Sequence, residues 1–283
     1  MRIALIITDA DFYAHTGYAE AWVRALEDEG AEVERLARVP EAWAVDGPPA
    51  DRWDLAIAHV LCEEVAVFAD TLKVACVLEA AGVPLLNPVV SLLASADKLT
   101  THAVWAADGL PQPRGWDLDA TRRWPVADGT PLVVKPSLGD GARDIGLASD
   151  LEAAHALRRT WREPAGPAVL EDLVADPVCL RLFATPTSTS AAYEKAREAG
   201  ALVTHGTTYP RTYEPSTEVA ALAMRMVEAL GGGLMGVDVL LDADGRAVAL
   251  EANAPFGFDV TDPEQARFVA RSALDRARAL AVG

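Results

Sequence analysis

Along residues 2–88, short apolar runs alternate with stretches whose apolar positions recur at helical spacing, a pattern that predicts βαβ units around a mostly parallel sheet. Strands are expected over 2–8, 32–36, 55–60 and 83–87. Helices are expected over 16–29 and 63–81, stopped by Gly30 and Gly82. Pro88 marks a boundary.

Beyond it, 91–107 reads as one helix ending at Gly109, with Pro111 and Pro113 after it. An apolar strand over 131–136 carries Lys135 and runs into Ser137-Leu138-Gly139-Asp140-Gly141-Ala142-Arg143-Asp144. The helix over 151–162 is opened by a capping box of Ser149 with Glu152. Strands follow at 168–173 and 178–184, and a less regular pair at 188–197 and 201–204. An amphipathic helix over 216–230 stops at Gly231-Gly232-Gly233. The last helix starts at Thr261 or Asp262, has Pro263 in its first turn and Glu264 to complete a capping box, and reaches about Leu280. Neither an internal repeat nor a low-complexity tract is present.

The segment from Gly236 to Asn253 organises the chemistry. Asp244-Gly245 favours a two-residue type I′ turn, and counting outward from it sets Ala243 against Arg246 and Asp238 against Glu251. Asn253 then shares a face with Asp238 and Glu251, while Val237, Val239, Leu241, Val248 and Leu250 line the other. Two carboxylates opposed at roughly 5 Å destabilise a sheet unless a positive group lies between them. Magnesium would resolve that conflict, since two carboxylates and an amide oxygen are hard ligands of the kind it takes. The competing reading is a solvated hairpin face with accidental acids, and a four-residue loop would break the pairing.

Composition narrows the function. Lys+Arg 25 against Asp+Glu 42 gives a formal charge of −17, which disfavours nucleic acid or an anionic membrane as partner. A phosphate ligand must therefore be met by local cations. The apolar run from Ile3 to Ile7 is shorter than a signal peptide's core, and no run approaches a membrane span, so a cytoplasmic protein is expected. Cys62, Cys76 and Cys179 have no metal-ligand spacing and are read as small buried residues.

In open parallel sheets ligands collect beyond the carboxyl ends of strands, here Asp9, Asp11, Tyr13 and His15, then His59, then Asn87. Each taken singly is also an ordinary loop polar group or a satisfied core histidine. The absence of a glycine fingerprint after the first strand argues against a dinucleotide fold. Lys135 leading into a glycine-containing loop suits phosphate, although two glycines also make a plain turn. Arg181, set among Leu180, Leu182 and Phe183, needs an anionic partner, either a phosphate oxygen or a neighbouring acid.

The order of these signals is more telling than any one. Asp97-Lys98, Val133-Val134-Lys135-Pro136 with its glycine loop, Leu170-Glu171-Asp172-Leu173-Val174, Gly236-Val237-Asp238 and Leu250-Glu251-Ala252-Asn253 together resemble the ATP-grasp superfamily, over about residues 91–257. The nearest look-alikes are the ligases that act on ribosomal protein tails and on the carrier protein of lysine biosynthesis. The resemblance implies an α/β protein with an N-terminal parallel lobe (1–90) and two α+β lobes (91–166 and 167–283) clasping ATP. It implies that Lys98 and Lys135 contact nucleotide phosphates, that Ser137, Gly139 and Gly141 belong to a loop closing over ATP, and that Glu171 heads a hinge whose backbone at Asp172, Leu173 and Val174 pairs with adenine. Asp238, Glu251 and Asn253 match the magnesium ligands, with Mn²⁺ an alternative ion. Arg181 matches the arginine that reaches the terminal phosphate and the reacting carboxyl, and Arg211 is placed beside it.

The departures matter too. Val174 stands where relatives hold the ribose with an acid, leaving Asp172 or Asp176 as substitutes, and Thr204 to Arg211 fits no acceptor motif. The implied activity is ADP-forming carboxylate–amine ligation through an acyl phosphate. The sheet-edge argument adds a small amino-acid-like substrate, its amine near Asp9 or Asp11 in a loop that also carries His15, and its carboxylate near Arg181 and Arg211. The rivals are an intramolecular cyclisation of an amino-acid derivative, as in antibiotic biosynthesis, and a nucleotide-binding module without turnover. A homodimer is compatible with the sequence, which does not fix the oligomeric state.

Overall fold

The structure, a computed structural model, describes residues 1–7, 17–59, 65–139, 144–161, 166–196, 209, 211–254, 256–259 and 261–282. The first lobe contains β1 (Arg2–Ile6), α1 (Tyr18–Asp28), β2 (Glu32–Leu36), α2 (Trp43–Asp46), β3 (Leu55–Ala58) and α3 (Val65–Ala80), with a parallel sheet of order β2-β1-β3. The fourth strand expected at 83–87 shrinks to a single parallel bridge, Leu85 to Ala56. Pro84 offers its carbonyl to Ala56 but has no N–H to extend the ladder.

That bridge delivers Asn87 to a joint between lobes. Its Oδ1 accepts from Gly233 N (2.9 Å) and Leu234 N (3.1 Å), and its Nδ2 donates to Leu234 O (2.9 Å). The three-glycine run is explained here: Gly231 has φ +69°, and a Cβ on Gly233 would stand 2.1 Å from the Leu86 carbonyl oxygen. Asn87, a candidate ligand by its place at a strand end, is a structural clamp.

The helix expected over 91–107 divides into α4 (Val89–Ala96) and α5 (Lys98–Ala107). Asp97 is extended between them (φ −100°, ψ 112°) and caps α5 by accepting from Thr100 N at 2.8 Å, because a short carboxylate at that point satisfies a free N–H better than continuing the helix would. Lys98 thereby becomes the first residue of a helix.

The central sheet is antiparallel, of order β4-β7-β5-β6, from β4 (Gly115–Asp117), β5 (Leu132–Pro136), β6 (Gly146–Ala148) and β7 (Ala168–Asp172), covered by α6 (Leu151–Arg159). Leu118, Leu132, Val134, Ala154, Trp161 and Leu170 form its own small core. β7, which the division expected at 166/167 assigns to the third lobe, pairs with both β4 and β5 of the central sheet. The cap of α6 is Asp150, accepting from Ala153 N, rather than Ser149.

The third sheet, order β10-β9-β8-β11-β12, comprises β8 (Val178–Ala184), β9 (Ala192–Glu194), β10 (Arg211–Tyr213), β11 (Met235–Leu241) and β12 (Ala247–Asn253), with α7 (Thr217–Ala229) and α8 (Pro263–Val282). One face, with Leu180, Leu182, Val237 and Val239, packs on Leu222, Ala223 and Met226 of α7. The other buries Phe183, Tyr193, Phe256 and Phe258 against α8 and Trp22 of α1, tying this lobe to the first. The strand expected over 201–204 lies outside the described residues. No helix among the described residues is long and apolar enough to cross a membrane.

The hairpin reaches its expected pairing by an unexpected route. Asp242 N donates to Arg246 O and Gly245 N to Asp242 O, so the loop is three residues long, with Gly245 at φ +77°. That shifts Leu241 against Ala247 and Val239 against Ala249. A bulge between Asp238 and Val239 then restores Asp238 opposite Glu251 and Gly236 opposite Asn253. The shift changes the core face: Ala247, Ala249 and Ala252 face inward, whereas Val248 and Leu250, expected there, are only partly buried.

Candidate active site

Asp238 is the fixed point. β8 and β11 set Arg181 directly opposite it, and Asp238 is 1% exposed. Arg181 Nε donates to Oδ1 at 2.5 Å and Nη2 to Oδ2 at 2.9 Å, while Lys195 Nζ donates to Oδ2 at 3.1 Å. Burial alone would raise the carboxyl pKa, but the guanidinium and ammonium charges outweigh it and hold it at about 2. Burial pulls Arg181 and Lys195 down and Asp238 more than compensates, so both stay charged. Gly236 leaves room for this pair: a Cβ there would lie 3.0 Å from Arg181 Nη1 and 2.8 Å from Phe256 Cβ.

Lys195 was not singled out from the sequence. The signal was the alternation Tyr193-Glu194-Lys195, which puts Lys195 on the face of Tyr193, and Tyr193 pairs with Arg181. Arg211 is the converse case. It pairs with Glu194, the position next to Tyr193, so it starts on the opposite face from Arg181 and lies largely exposed, 3.8 Å from Glu194 Oε2. The structure does not bring the two arginines together.

Glu251 sits across from Asp238 and is partly exposed, with Lys98 Nζ at 3.5 Å. Lys98 Nζ also donates to Gly139 O at 2.7 Å, which links the hairpin to the loop after β5. The Ser137 hydroxyl is engaged within the scaffold: it donates to Asp97 Oδ2 (2.7 Å) and accepts from Leu99 N (3.2 Å), and it is fully buried.

In the central sheet Lys135 and Glu171 lie on one face, because Glu171 pairs with Val133, two residues before Lys135. Lys135 Nζ donates to Glu171 Oε2 at 2.6 Å and both are buried. Burial pushes the Glu171 carboxyl up, yet the Lys135 charge and the contact with His102 hold it below the usual range. His102 is a second residue the sequence reading passed over, although it stands one helical turn after Lys98 on the same face. Asp172, considered for the ribose, is engaged by Arg114 through Nε (2.7 Å) and Nη2 (3.1 Å). Leu173 follows it, exposed. Asp9, Asp11, Tyr13, His15, Gly141 and Arg143 lie outside the described residues.

Hard oxygen donors thus gather on one strand pair, and the set fits magnesium. Glu251 and Asn253 share a face of β12, and a carboxylate has about four lone-pair positions, of which Asp238 uses three on its cations. Among the described residues no group of three or more His, Cys, Asp and Glu converges. A site of one or two carboxylates completed by phosphate oxygens and water does not need one.

No family model matches the chain. It is 32% identical over 215 residues to a D-alanine–D-alanine ligase of Ectopseudomonas mendocina, covering 69% of this chain and 66% of that protein. It is 24% identical over 207 residues to a probable alpha-L-glutamate ligase of Hahella chejuensis, covering 70% and 67%. The chain therefore spans about two thirds of the length of these curated relatives. Among solved structures it resembles the D-cycloserine synthetase DcsG, with a TM-score of 0.70 and 19% identity over 99% of this chain and 100% of that one. The curated relatives and the solved structures agree, and the chain belongs to the ATP-grasp superfamily.

Proposed function

We propose that this protein is an ATP- and magnesium-dependent carboxylate–amine ligase that acts through an acyl phosphate on a small amino-acid-like substrate in the cytoplasm. The observation that carries the reading is the row Arg181, Asp238 and Glu251 across three adjacent strands, with Lys98 and Lys195 at its sides. Cations and oxygen donors interleaved in this way suit a transferring phosphoryl group, where catalysis is mostly positioning and charge stabilisation. Magnesium, held by Glu251, Asn253 and the remaining lone pair of Asp238, would neutralise phosphate charge.

In the proposed reaction a substrate carboxylate oxygen attacks the γ-phosphorus, and the bond to the β,γ-bridging oxygen breaks to leave ADP. An amine nitrogen then attacks the acyl carbon, the C–O bond to phosphate breaks, and the nitrogen gives up its proton. Arg181 and Lys195 remain charged throughout and would stabilise the anionic oxygens. Lys135 and Glu171 would meet the nucleotide from the central sheet.

The test is a phosphate-release screen over single and paired amino acids with mass spectrometry of the products. Ligation adds two substrate masses less one water. Loss of one water from a single substrate would favour the cyclisation that the DcsG-like fold keeps in view. Release of AMP and pyrophosphate, or nucleotide binding without turnover on any substrate, would count against the reading.

A further inference from the structure

We infer that His102 is a positioning residue for the nucleotide site, holding Glu171 through a shared proton so that Lys135 is not the carboxylate's sole partner. The inference rests on the proposed role of Lys135 and Glu171 in binding nucleotide. Gln112 Nε2 donates to the His102 carbonyl at 2.8 Å, which turns Gln112 Oε1 toward His102 Nδ1 at 2.9 Å. An amide oxygen only accepts, so Nδ1 carries a hydrogen. On the other side Nε2 lies 2.8 Å from Glu171 Oε2, the oxygen that also accepts from Lys135 Nζ at 2.6 Å. A ring with hydrogen on Nδ1 alone would set a lone pair against that oxygen; a proton must therefore lie between Nε2 and Oε2, whichever atom holds it.

The surroundings are built around this contact. His102 is 7% exposed and Glu171 3%. Gly115 of β4 backs the ring so closely that a Cβ there would meet it at 2.8 Å, so only glycine leaves the imidazole in place. α5 thus carries Lys98 toward the hairpin and His102 toward the central sheet from one helical face, coupling both halves of the nucleotide site to one rigid element. When Lys135 turns to a nucleotide oxygen, Glu171 keeps a hydrogen-bonded partner and stays where it is.

Three measurements test this. In ¹⁵N-histidine spectra of the protein without nucleotide, the signal lost in His102→Gln should show hydrogen on Nδ1, and an unprotonated Nδ1 would overturn the inference. Calorimetry with ADP and magnesium should show affinity reduced at least about 10-fold in His102→Leu, the loss expected for a charge-assisted hydrogen bond, but within about 3-fold of wild type in His102→Gln, whose amide still donates to Glu171. Equal losses in both variants, or none in His102→Leu, would overturn it. In turnover assays the Michaelis constant for ATP should rise more than kcat falls, whereas a loss confined to kcat would indicate a smaller folded fraction instead. Failure of the wild-type protein to bind ADP would instead remove the proposed function, and this inference with it.

Discussion

Arg181 and Asp238, directly opposed on β8 and β11, are joined by two hydrogen bonds in a place where the carboxylate is almost wholly excluded from water. The pair holds two lobe-forming strands and presents charge to the proposed phosphate site. Removing one member of a buried ion pair strands the other, so Arg181→Met should cost about 3 kcal/mol even with Lys195 still in contact. For a chain of this size that lowers the melting temperature by roughly 6–12 °C. A melting curve within a degree of wild type would show that the pair contributes no net stability.

Acid titration tests the same carboxylate. Its folded pKa, about 2, lies below the ordinary 3.8, so its contribution is complete above pH 4 and is lost as pH falls through 2. The amount is on the order of 2 kcal/mol. Equilibrium unfolding followed from pH 5 to pH 2 should show this loss, and it should be reduced in Arg181→Met. An identical acid slope in the two proteins would sink the assignment.

Glu251 separates catalysis from stability. It is partly exposed, 3.5 Å from Lys98, and on its removal Lys98 keeps its hydrogen bond to the Gly139 carbonyl. Glu251→Gln should keep the melting temperature within the usual range of a surface change, yet raise the magnesium requirement and lower kcat by about 100-fold or more. Wild-type turnover in this variant would place the metal elsewhere.

What the sequence made legible, and what it did not, is clearest in the hairpin. The Asp238–Glu251 pairing is correct although the turn is not: a three-residue loop displaces the register by one, and a bulge at Asp238/Val239 displaces it back. Turn residues are readable because Asp-Gly constrains the backbone locally, but a bulge depends on strand neighbours that no local pattern encodes. The helix over 91–107 failed for a related reason. Its apolar spacing runs through Asp97, whose carboxylate both caps the second helix at Thr100 N and accepts from Ser137, forty residues away, a contact that local pattern does not encode. Lys195 and His102 were overlooked because one sat in a strand of weak pattern and the other in a helix already explained by packing.

The joint at Asn87 predicts a local effect. Asn87→Ala leaves two N–H groups and one carbonyl without their partner in a buried position, at a cost of about 3 kcal/mol. Amide exchange at Gly233 and Leu234 should accelerate more than exchange in the central sheet, which has its own core. Uniform acceleration would mean that the joint is not a local fastening.

The final prediction concerns which cation assists Arg181. The expected placement of the substrate carboxylate put Arg211 beside it, but register sets Arg211 opposite Glu194, exposed on the sheet's edge strand, while Lys195 reaches Asp238 from the same face as Arg181. An exposed ion pair at 3.8 Å contributes little, so Arg211→Met should leave the melting temperature close to that of wild type. It should also leave kcat within about 2-fold, since among the described residues its ion pair is to Glu194, on the other face of the sheet from the Asp238 cluster. Lys195→Met removes a buried charge that faces both Asp238 and Glu251; Asp238 keeps its two bonds from Arg181, so the protein should still fold. Turnover should then fall by about 100-fold, the scale of losing one preorganised charge at a phosphoryl-transfer centre. Steady-state kinetics on the two variants decides between them: a large loss in Arg211→Met with little change in Lys195→Met would return the role to Arg211 and require β10 to move in the working enzyme.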